Sequence, residues 1–270
     1  MATYKLTLAY DGTRYAGWQL QPKVPTVQGE LERALKRITG QEIRVTGSSR
    51  TDSGVHAVGQ VVGFRLETKM TLDVLHRALN HHLPDQLSVS QIQIAPDDFH
   101  AIRHAVRKRY RYILHDGMRR DVFRRQYSWQ YWKPLDAVAM HQAAQSLVGT
   151  HDFRSFETNW PTRASSVRTI FDLTVRRERL GEFSHWAEQG MLQVPLGDAP
   201  ESDYIYVEVE ADGFLYNMVR TIVGTLLEIG RGAQSVTWAG EVLHAQDRRR
   251  AGRTAPPQGL FLLWIKYPGD

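Results

Sequence analysis

The sequence predicts an α+β protein built from two β-α-β-β-α-β halves with mainly antiparallel sheets, the ferredoxin-like or RRM-like arrangement. Two observations lead to this prediction. Segments in which apolar residues alternate with polar ones predict strands, and segments with apolar residues every three or four positions predict helices. Along the chain these segments follow the order strand, helix, strand, strand, helix, strand, and then repeat it. At 270 residues the chain is long enough for two domains and a sizeable core.

The first half is predicted at residues 1–105. One helix begins after the cap residue Thr26 and ends at Gly40, and a second begins after Thr71 and ends before Pro84. Predicted strands occupy residues 3–10, 42–47, 57–66 and 87–94. A turn-forming segment around Pro96 then leads into the second half.

The second half is predicted at residues 106–270. Its strands are predicted at 106–115, 167–178, 204–211 and 260–267, and its helices at 135–148, 214–229 and 236–245. Residues 180–203 form a connection rich in Gly, Pro and acidic residues, longer than ordinary hairpin loops. No residue-level repeat relates the two halves, so their similarity is an architectural prediction.

The net charge of the chain is compatible with a polyanionic partner but does not require one. Lys and Arg number 34 against 29 acidic residues, which gives a net charge of +5. Arginines cluster around Tyr110 and again at residues 248–253. A solvated charged face is the alternative interpretation of both clusters.

The composition also narrows the cellular compartment of the protein and the kinds of site that it can contain. The chain has no cysteine, which excludes disulfides, thiolate metal sites and cysteine nucleophiles and agrees with a reducing compartment. The N-terminal residues follow a strand pattern rather than that of a signal peptide, and no apolar run has the roughly 20 residues that span a bilayer. We therefore expect a cytoplasmic protein with no membrane partner.

Sequence motifs for cofactors and metals are absent. There is no G-x-x-x-x-G-K-[ST] loop, no G-x-G-x-x-G fingerprint and no G-x-S-x-G elbow. His100 and His104 stand four residues apart, but no third ligand is near them in sequence. We expect neither a metal nor a small-molecule cofactor.

Three features remain as candidates for chemistry. The segment from Ser49 to His56 places Arg50, Thr51 and Asp52 just before a glycine, between two predicted strands. Such a loop presents a carboxylate on a rigid sheet, although an Asp shortly before a Gly is also an ordinary turn signal.

The other two features lie in the second half. Tyr110 and Tyr112 share one face of a predicted strand among arginines, where they serve either to stack on RNA bases or to fill a core. Arg220 lies on an almost wholly apolar helix, which predicts burial and therefore a carboxylate partner, and spacing does not identify that partner.

These segments closely resemble the tRNA pseudouridine synthase A family. The resemblance runs in family order across nearly the whole chain. It is carried by Tyr10–Thr13 with Gly17–Gln19, Arg50–His56, Asp97–Ala101, Arg109–Tyr112, Met218–Gly224 and Gly259–Leu262. The family usually has Gly where this chain has Ser49.

The resemblance implies the pseudouridine synthase fold and isomerisation of uridine to pseudouridine at positions 38, 39 and 40 of the tRNA anticodon arm, without metal or cofactor. It also implies a homodimer in which both subunits contact the tRNA. Residue by residue, it implies that Asp52 is catalytic, that Arg50 helps to extrude the target base, that Tyr110 stacks on the uracil and that Arg220 pairs with Asp52. Leu260 is a candidate for the wall that retains the detached uracil.

Two other functions fit parts of the sequence. A catalytically inert RNA-binding module would use the same two halves, but it leaves Arg220 unexplained. A carboxylate hydrolase normally needs two carboxylates at a defined separation, and Asp52 has no acidic neighbour in its motif.

Overall fold

The computed structural model describes residues 1–158, 165–178 and 204–270. The long connection predicted at residues 180–203 lies outside these described residues. The chain folds into two compact units. Unit 1 contains residues 1–110, 210–213 and 260–270, and unit 2 contains residues 111–209 and 214–259.

The strands of unit 1 are β1 (Ala2–Tyr10), β2 (Thr46–Gly47), β3 (His56–Leu66), β4 (Leu87–Ala95) and β10 (Leu260–Lys266). They form a sheet in the order β4-β1-β3-β10. Strand β1 pairs antiparallel with both β3 and β4, and β2 adds an antiparallel pair to β3. Strand β10 pairs with β3 in parallel, with Phe261 opposite His56. This pairing explains why the C-terminal strand belongs to unit 1.

Two helices complete unit 1, α1 (Val27–Thr39) and α2 (Leu72–His82). The hydroxyl oxygens of Thr26 and Thr71 accept the amide N–H of Gly29 and Val74, so both are N-caps as the sequence predicted. Gly40 ends α1 in the left-handed conformation with φ of 73°. Helix α2 packs on α1 and on β4, and fully buried leucines from both helices form the core.

The strands of unit 2 are β5 (Arg107–His115), β6 (Trp129–Gln130), β7 (Gly149–Asp152), β8 (Val167–Glu178) and β9 (Tyr204–Ala211). They form a sheet in the order β5-β9-β8-β7. Strands β5 and β9 each have residues in both units. The pairing of β7 with β8 is antiparallel, whereas β6 pairs with β5 in parallel.

The helices of unit 2 are α3 (Ala137–Ala144), α4 (Met218–Gly230) and α5 (Trp238–Ala245). Helix α3 packs on β8 and on α4. Eleven of the thirteen residues of α4 are buried, as its apolar sequence predicted.

The α+β class and the predicted order of strands and helices are confirmed, with local differences. Helix α3 spans only Ala137–Ala144 of the predicted 135–148, and α5 begins two residues later than predicted. Strand β2 spans only residues 46–47 of the predicted 42–47. Helix α4 begins four residues later than predicted because Asn217 has a φ of 61°, a left-handed conformation that the helix cannot include. The short strands β6 and β7 were not predicted, since their sequences are too short to show a period. The predicted halves 1–105 and 106–270 stay a prediction.

Candidate active site

The loop at residues 48–55 joins β2 to β3 and carries the predicted catalytic carboxylate. Its beginning is held by Gln60, which is completely buried in β3. The backbone N–H of Ser49 donates to Gln60 Oε1 at 3.1 Å, and Gln60 Nε2 donates to the carbonyl of Ser49 at 2.6 Å. The side-chain amide thus satisfies both backbone groups of Ser49 where the strand pairing ends.

The middle of the loop is held from the first segment of the chain. Thr51 is buried, and its Oγ1 shares a hydrogen bond with the hydroxyl of Tyr10 at 2.7 Å. The backbone N–H of Trp18 donates to the Thr51 carbonyl at 3.0 Å. Burial raises the pKa of Tyr10 well above its usual value, while the hydrogen bond to Thr51 opposes that rise. Tyr10 therefore stays neutral and able to hold Thr51.

The end of the loop packs against Gly12. A Cβ on Gly12 would lie 1.9 Å from the carbonyl oxygen of Val55, so only glycine allows this approach. The Gly12 N–H donates to His56 Nδ1 at 3.1 Å, and Asp11 Oδ1 lies 3.2 Å from the same nitrogen. The His56 ring is stacked on Phe261 of β10, with the ring centroids 4.7 Å apart. The first segment and the motif loop form one packed arrangement.

Strand β5 contributes two side chains to the same loop. Lys108 Nζ donates to the carbonyl of Ser48 at 2.6 Å, and the hydroxyls of Tyr110 and Ser49 share a hydrogen bond of 2.8 Å. Lys108 and Tyr110 are two residues apart and therefore point to the same face of the strand. Burial lowers the pKa of the Lys108 ammonium to about 8.

Electrostatics connect Tyr110 to Asp52. Burial raises the pKa of Tyr110 to about 12; the hydrogen bond with Ser49 opposes the rise, and the negative charge of Asp52 adds to it. Tyr110 is 6% exposed, Asp52 is half-buried and Arg50 is exposed. Unit 1 therefore brings together a half-buried carboxylate, a neutral phenol and an exposed guanidinium. Leu260, also in unit 1, is buried at the start of β10.

Arg220 lies in the first turn of α4 in unit 2. It is half-buried, whereas the sequence predicted burial. Its Nε donates to the carbonyl of Ala255 at 2.7 Å, and its Nη1 donates to Asn217 Oδ1 at 2.8 Å. These two bonds fix the plane of the guanidinium.

The backbone that holds Arg220 is positioned by two glycines. A Cβ on Gly224 would lie 1.7 Å from the carbonyl oxygen of Arg253, and a Cβ on Gly252 would lie 2.5 Å from the carbonyl oxygen of Gly224. The segment that carries Ala255 therefore lies closer to α4 than it could if either glycine had a Cβ atom.

Potential metal ligands do not converge in the part of the chain that the structure describes. Within residues 1–158, 165–178 and 204–270, no three His, Asp or Glu side chains form a group that could hold a metal ion. In the same residues, no helix has the length and apolar character needed to cross a membrane.

Comparison with known proteins gives the family. The family model described as tRNA pseudouridine synthase matches residues 7–102 and 143–268. The chain belongs to this family. It is similar to the tRNA pseudouridine synthase A of Thermoanaerobacter sp. (strain X514), at 41% identity over 99% of this chain and 100% of the relative. It is also similar to that of Moorella thermoacetica, at 43% identity over 99% of this chain and 100% of the relative.

Membership confirms the resemblance seen in the sequence, and the protein is an isomerase that acts on tRNA. Of the residues predicted for its site, unit 1 contains Asp52, Arg50, Tyr110 and Leu260, and unit 2 contains Arg220. Their catalytic roles stay predictions.

Sequence reasoning missed the side chains that support this tRNA pseudouridine synthase loop. Gln60 is a lone amide in the otherwise apolar run of β3, a signal that could have identified it. Lys108 shares the face of Tyr110 by strand alternation, so its place beside Tyr110 could also have been found. Tyr10 carried no such signal, because its place in an alternating strand is equally typical of a core residue.

Proposed function

We propose that the protein converts uridine to pseudouridine at positions 38, 39 and 40 of the tRNA anticodon stem-loop, with Asp52 as the catalytic carboxylate. The observation that supports this most is the anchoring of the loop around Asp52. Its neighbours Ser49 and Thr51 are each bound through buried partners, Gln60 and Tyr10. A catalytic group needs such a preorganised support to hold its geometry.

The reaction is an isomerisation in which the atoms balance without a co-reactant. The N1–C1′ bond of uridine breaks, the uracil rotates, and a C5–C1′ bond forms. The proton on C5 is lost and N1 gains a proton, so the product has the composition of the substrate. The carboxylate of Asp52 serves this chemistry by attack at C1′, by addition to C6 of the base, or as a base at the sugar on a glycal route.

The target base must leave the anticodon stem before it reacts. Flipping a base costs a few kcal/mol, which contacts in the site offset. In the proposal, exposed Arg50 helps to extrude the base and Tyr110 stacks on it, a contact worth roughly 1–3 kcal/mol. Leu260 forms part of the apolar wall that retains the detached uracil.

Arg220 is proposed as the partner that keeps Asp52 ionised and aimed. Its support is the fixed guanidinium plane, bound to Ala255 and Asn217, together with the role that family membership implies. The proposal also includes a cytoplasmic homodimer in which both subunits contact the anticodon arm.

The test replaces Asp52 and measures turnover and binding separately. Asp52→Asn keeps the shape of the side chain but removes the carboxylate, so we expect no release of tritium from C5-labelled uridine in tRNA and nearly unchanged tRNA affinity. Asp85→Asn, at an exposed residue before β4, is the control and should keep full activity. Turnover of Asp52→Asn within tenfold of the wild type would overturn the assignment of Asp52. A tRNA whose labelled uridines lie only at positions 38, 39 and 40 tests which positions are modified.

A further inference from the structure

The connection between β5 and β6 contains a loop at residues 117–126, here called the Phe123 loop. It exposes three apolar side chains: Phe123 is 88% exposed, Met118 74% and Val122 52%. Single exposed apolar residues are common on protein surfaces, but a cluster of large ones indicates an interaction site.

The loop is held in shape by Asp121. Its Oδ1 accepts the backbone N–H of Phe123 at 2.9 Å and that of Arg124 at 3.0 Å, and its Oδ2 accepts the hydroxyl of Tyr204 at 2.5 Å. Although burial raises the pKa of Asp121, the hydrogen bonds from Tyr204 and the two amides lower it below its usual value. The guanidinium of Arg124 lies over the Tyr204 ring at 5.5 Å. The turn is therefore anchored to β9 while the ring of Phe123 stays in water.

The charged side chains of the Phe123 loop are mostly positive. Four arginines and one aspartate give residues 117–126 a net charge of +3, from four positive and one negative side chain. Arg119, Arg120 and Arg125 are exposed. The Arg120 guanidinium also lies 5.6 Å from the ring of Trp132, which is half exposed. Aromatic rings among exposed arginines are the combination that binds single-stranded nucleic acid, by stacking on bases and neutralising phosphates.

We propose that the Phe123 loop is a tRNA contact surface additional to the catalytic loop. Phe123 stacks on an unpaired base, and Arg119, Arg120 and Arg125 bind the adjacent phosphates. The proposal rests on the proposed function in that tRNA is the polyanion that this protein must bind. A second copy of the chain is the less favourable occupant, because each copy carries a net charge of +5 whereas tRNA carries a negative phosphate on every nucleotide.

The first experiment measures how tRNA affinity depends on salt. Replacing Arg119, Arg120 and Arg125 together by Gln removes three phosphate contacts, so the slope of log affinity against log salt should fall in magnitude by about 2 to 3. Arg37→Gln, at an exposed position of α1, is the control for loss of a surface charge and should leave the slope unchanged. A triple variant with the wild-type slope and affinity would overturn the proposal.

The second experiment tests the aromatic contact. Phe123→Ala should weaken tRNA binding by about tenfold, whereas Phe123→Tyr keeps a flat ring and should bind like the wild type. In an otherwise unchanged chain, p-azidophenylalanine at position 123 should crosslink to tRNA on irradiation. A crosslink to a second copy of the protein instead, or equal binding by the Ala and Tyr variants, would contradict the proposal.

The two proposals fail in different ways. Loss of the Phe123 loop contacts should raise the KM for tRNA and leave the single-turnover rate at saturating enzyme nearly unchanged, because Asp52 is untouched. Wild-type protein that does not bind tRNA would overturn both proposals. Wild-type protein that forms pseudouridine while the loop variants bind tRNA normally would overturn the loop alone.

Discussion

The hydroxyls of Ser49 and Tyr110 lie 2.8 Å apart and share a hydrogen bond at the start of the loop that carries Asp52. A glycine at this position would carry no side chain with which to make such a bond. The bond fixes the end of the tyrosine ring that is proposed to stack on uracil, and it opposes the rise in the pKa of Tyr110 that burial causes. Ser49 thus adds a polar contact to the site.

We predict that this bond couples the two side chains energetically. Ser49→Ala and Tyr110→Phe should each lower the free energy of unfolding by about 1 kcal/mol, while the double variant should lose less than the sum of the two. The measurement is urea unfolding of the four proteins in a double-mutant cycle. Strictly additive losses would show that the hydroxyls do not interact in solution.

Lys108 gives a prediction for the pH dependence of stability. Its pKa is lowered from 10.5 to about 8 in the folded protein by burial. Below pH 8 the Lys108 ammonium is charged in both the folded and the unfolded state, and burying that charge destabilises the fold. Between pH 8 and 10.5 the unfolded state binds more protons than the folded state. The free energy of unfolding should therefore rise with pH across this window, by at most about 3 kcal/mol.

The measurement compares wild type with Lys108→Met. The difference in unfolding free energy between the two proteins, followed from about pH 7.5 to about pH 9.5, should change in favour of the wild type as pH rises. The Lys108→Arg variant keeps its charge throughout, so the difference in unfolding free energy between Lys108→Arg and Lys108→Met should not change over this range. A flat difference for Lys108→Met would mean that the ammonium titrates near its ordinary pKa.

Arg220→Met separates an electrostatic role from a structural one. If Arg220 is the partner of Asp52, its loss leaves the carboxylate more easily protonated, so turnover should fall most at low pH. Full pH–rate profiles and thermal melts of the variant and of Arg220→Lys are the required measurements. A profile of unchanged shape together with a large drop in melting temperature would assign Arg220 to the fold through its bonds to Ala255 and Asn217.

Two helical glycines provide a matched test of close packing. Gly224→Ala should destabilise the protein by about 3 kcal/mol or more, because its Cβ would lie 1.7 Å from the backbone oxygen of Arg253. Gly240→Ala, on α5, places its Cβ 3.5 Å from Ser146 and should stabilise the protein by about 0.5 kcal/mol through helix propensity. Chemical unfolding of both variants should give opposite signs, and a mild effect at Gly224 would contradict the close approach of the two backbones.

The α+β class, the order of the strands and helices and the loop that carries Asp52 could all be predicted from the sequence. These features depend on the conformational preferences of residues that are close in sequence. Examples are the alternation of apolar and polar residues in β1, the helix caps Thr26 and Thr71, and the apolar run of α4. The family could be predicted as well, because the matching segments occur in order along the chain.

The support of the loop and the place of the last strand became known from the folded structure alone. Gln60 and Lys108 reach Ser49 and Ser48 across 11 and 60 positions of the chain, so a local pattern can single out these two side chains but cannot name the groups that they bind. The parallel pairing of β10 with β3 likewise joins residues that are distant in sequence. Hydrogen bonds of this kind depend on where the packed sheet places each side chain, and that placement is set by the whole fold rather than by neighbouring residues.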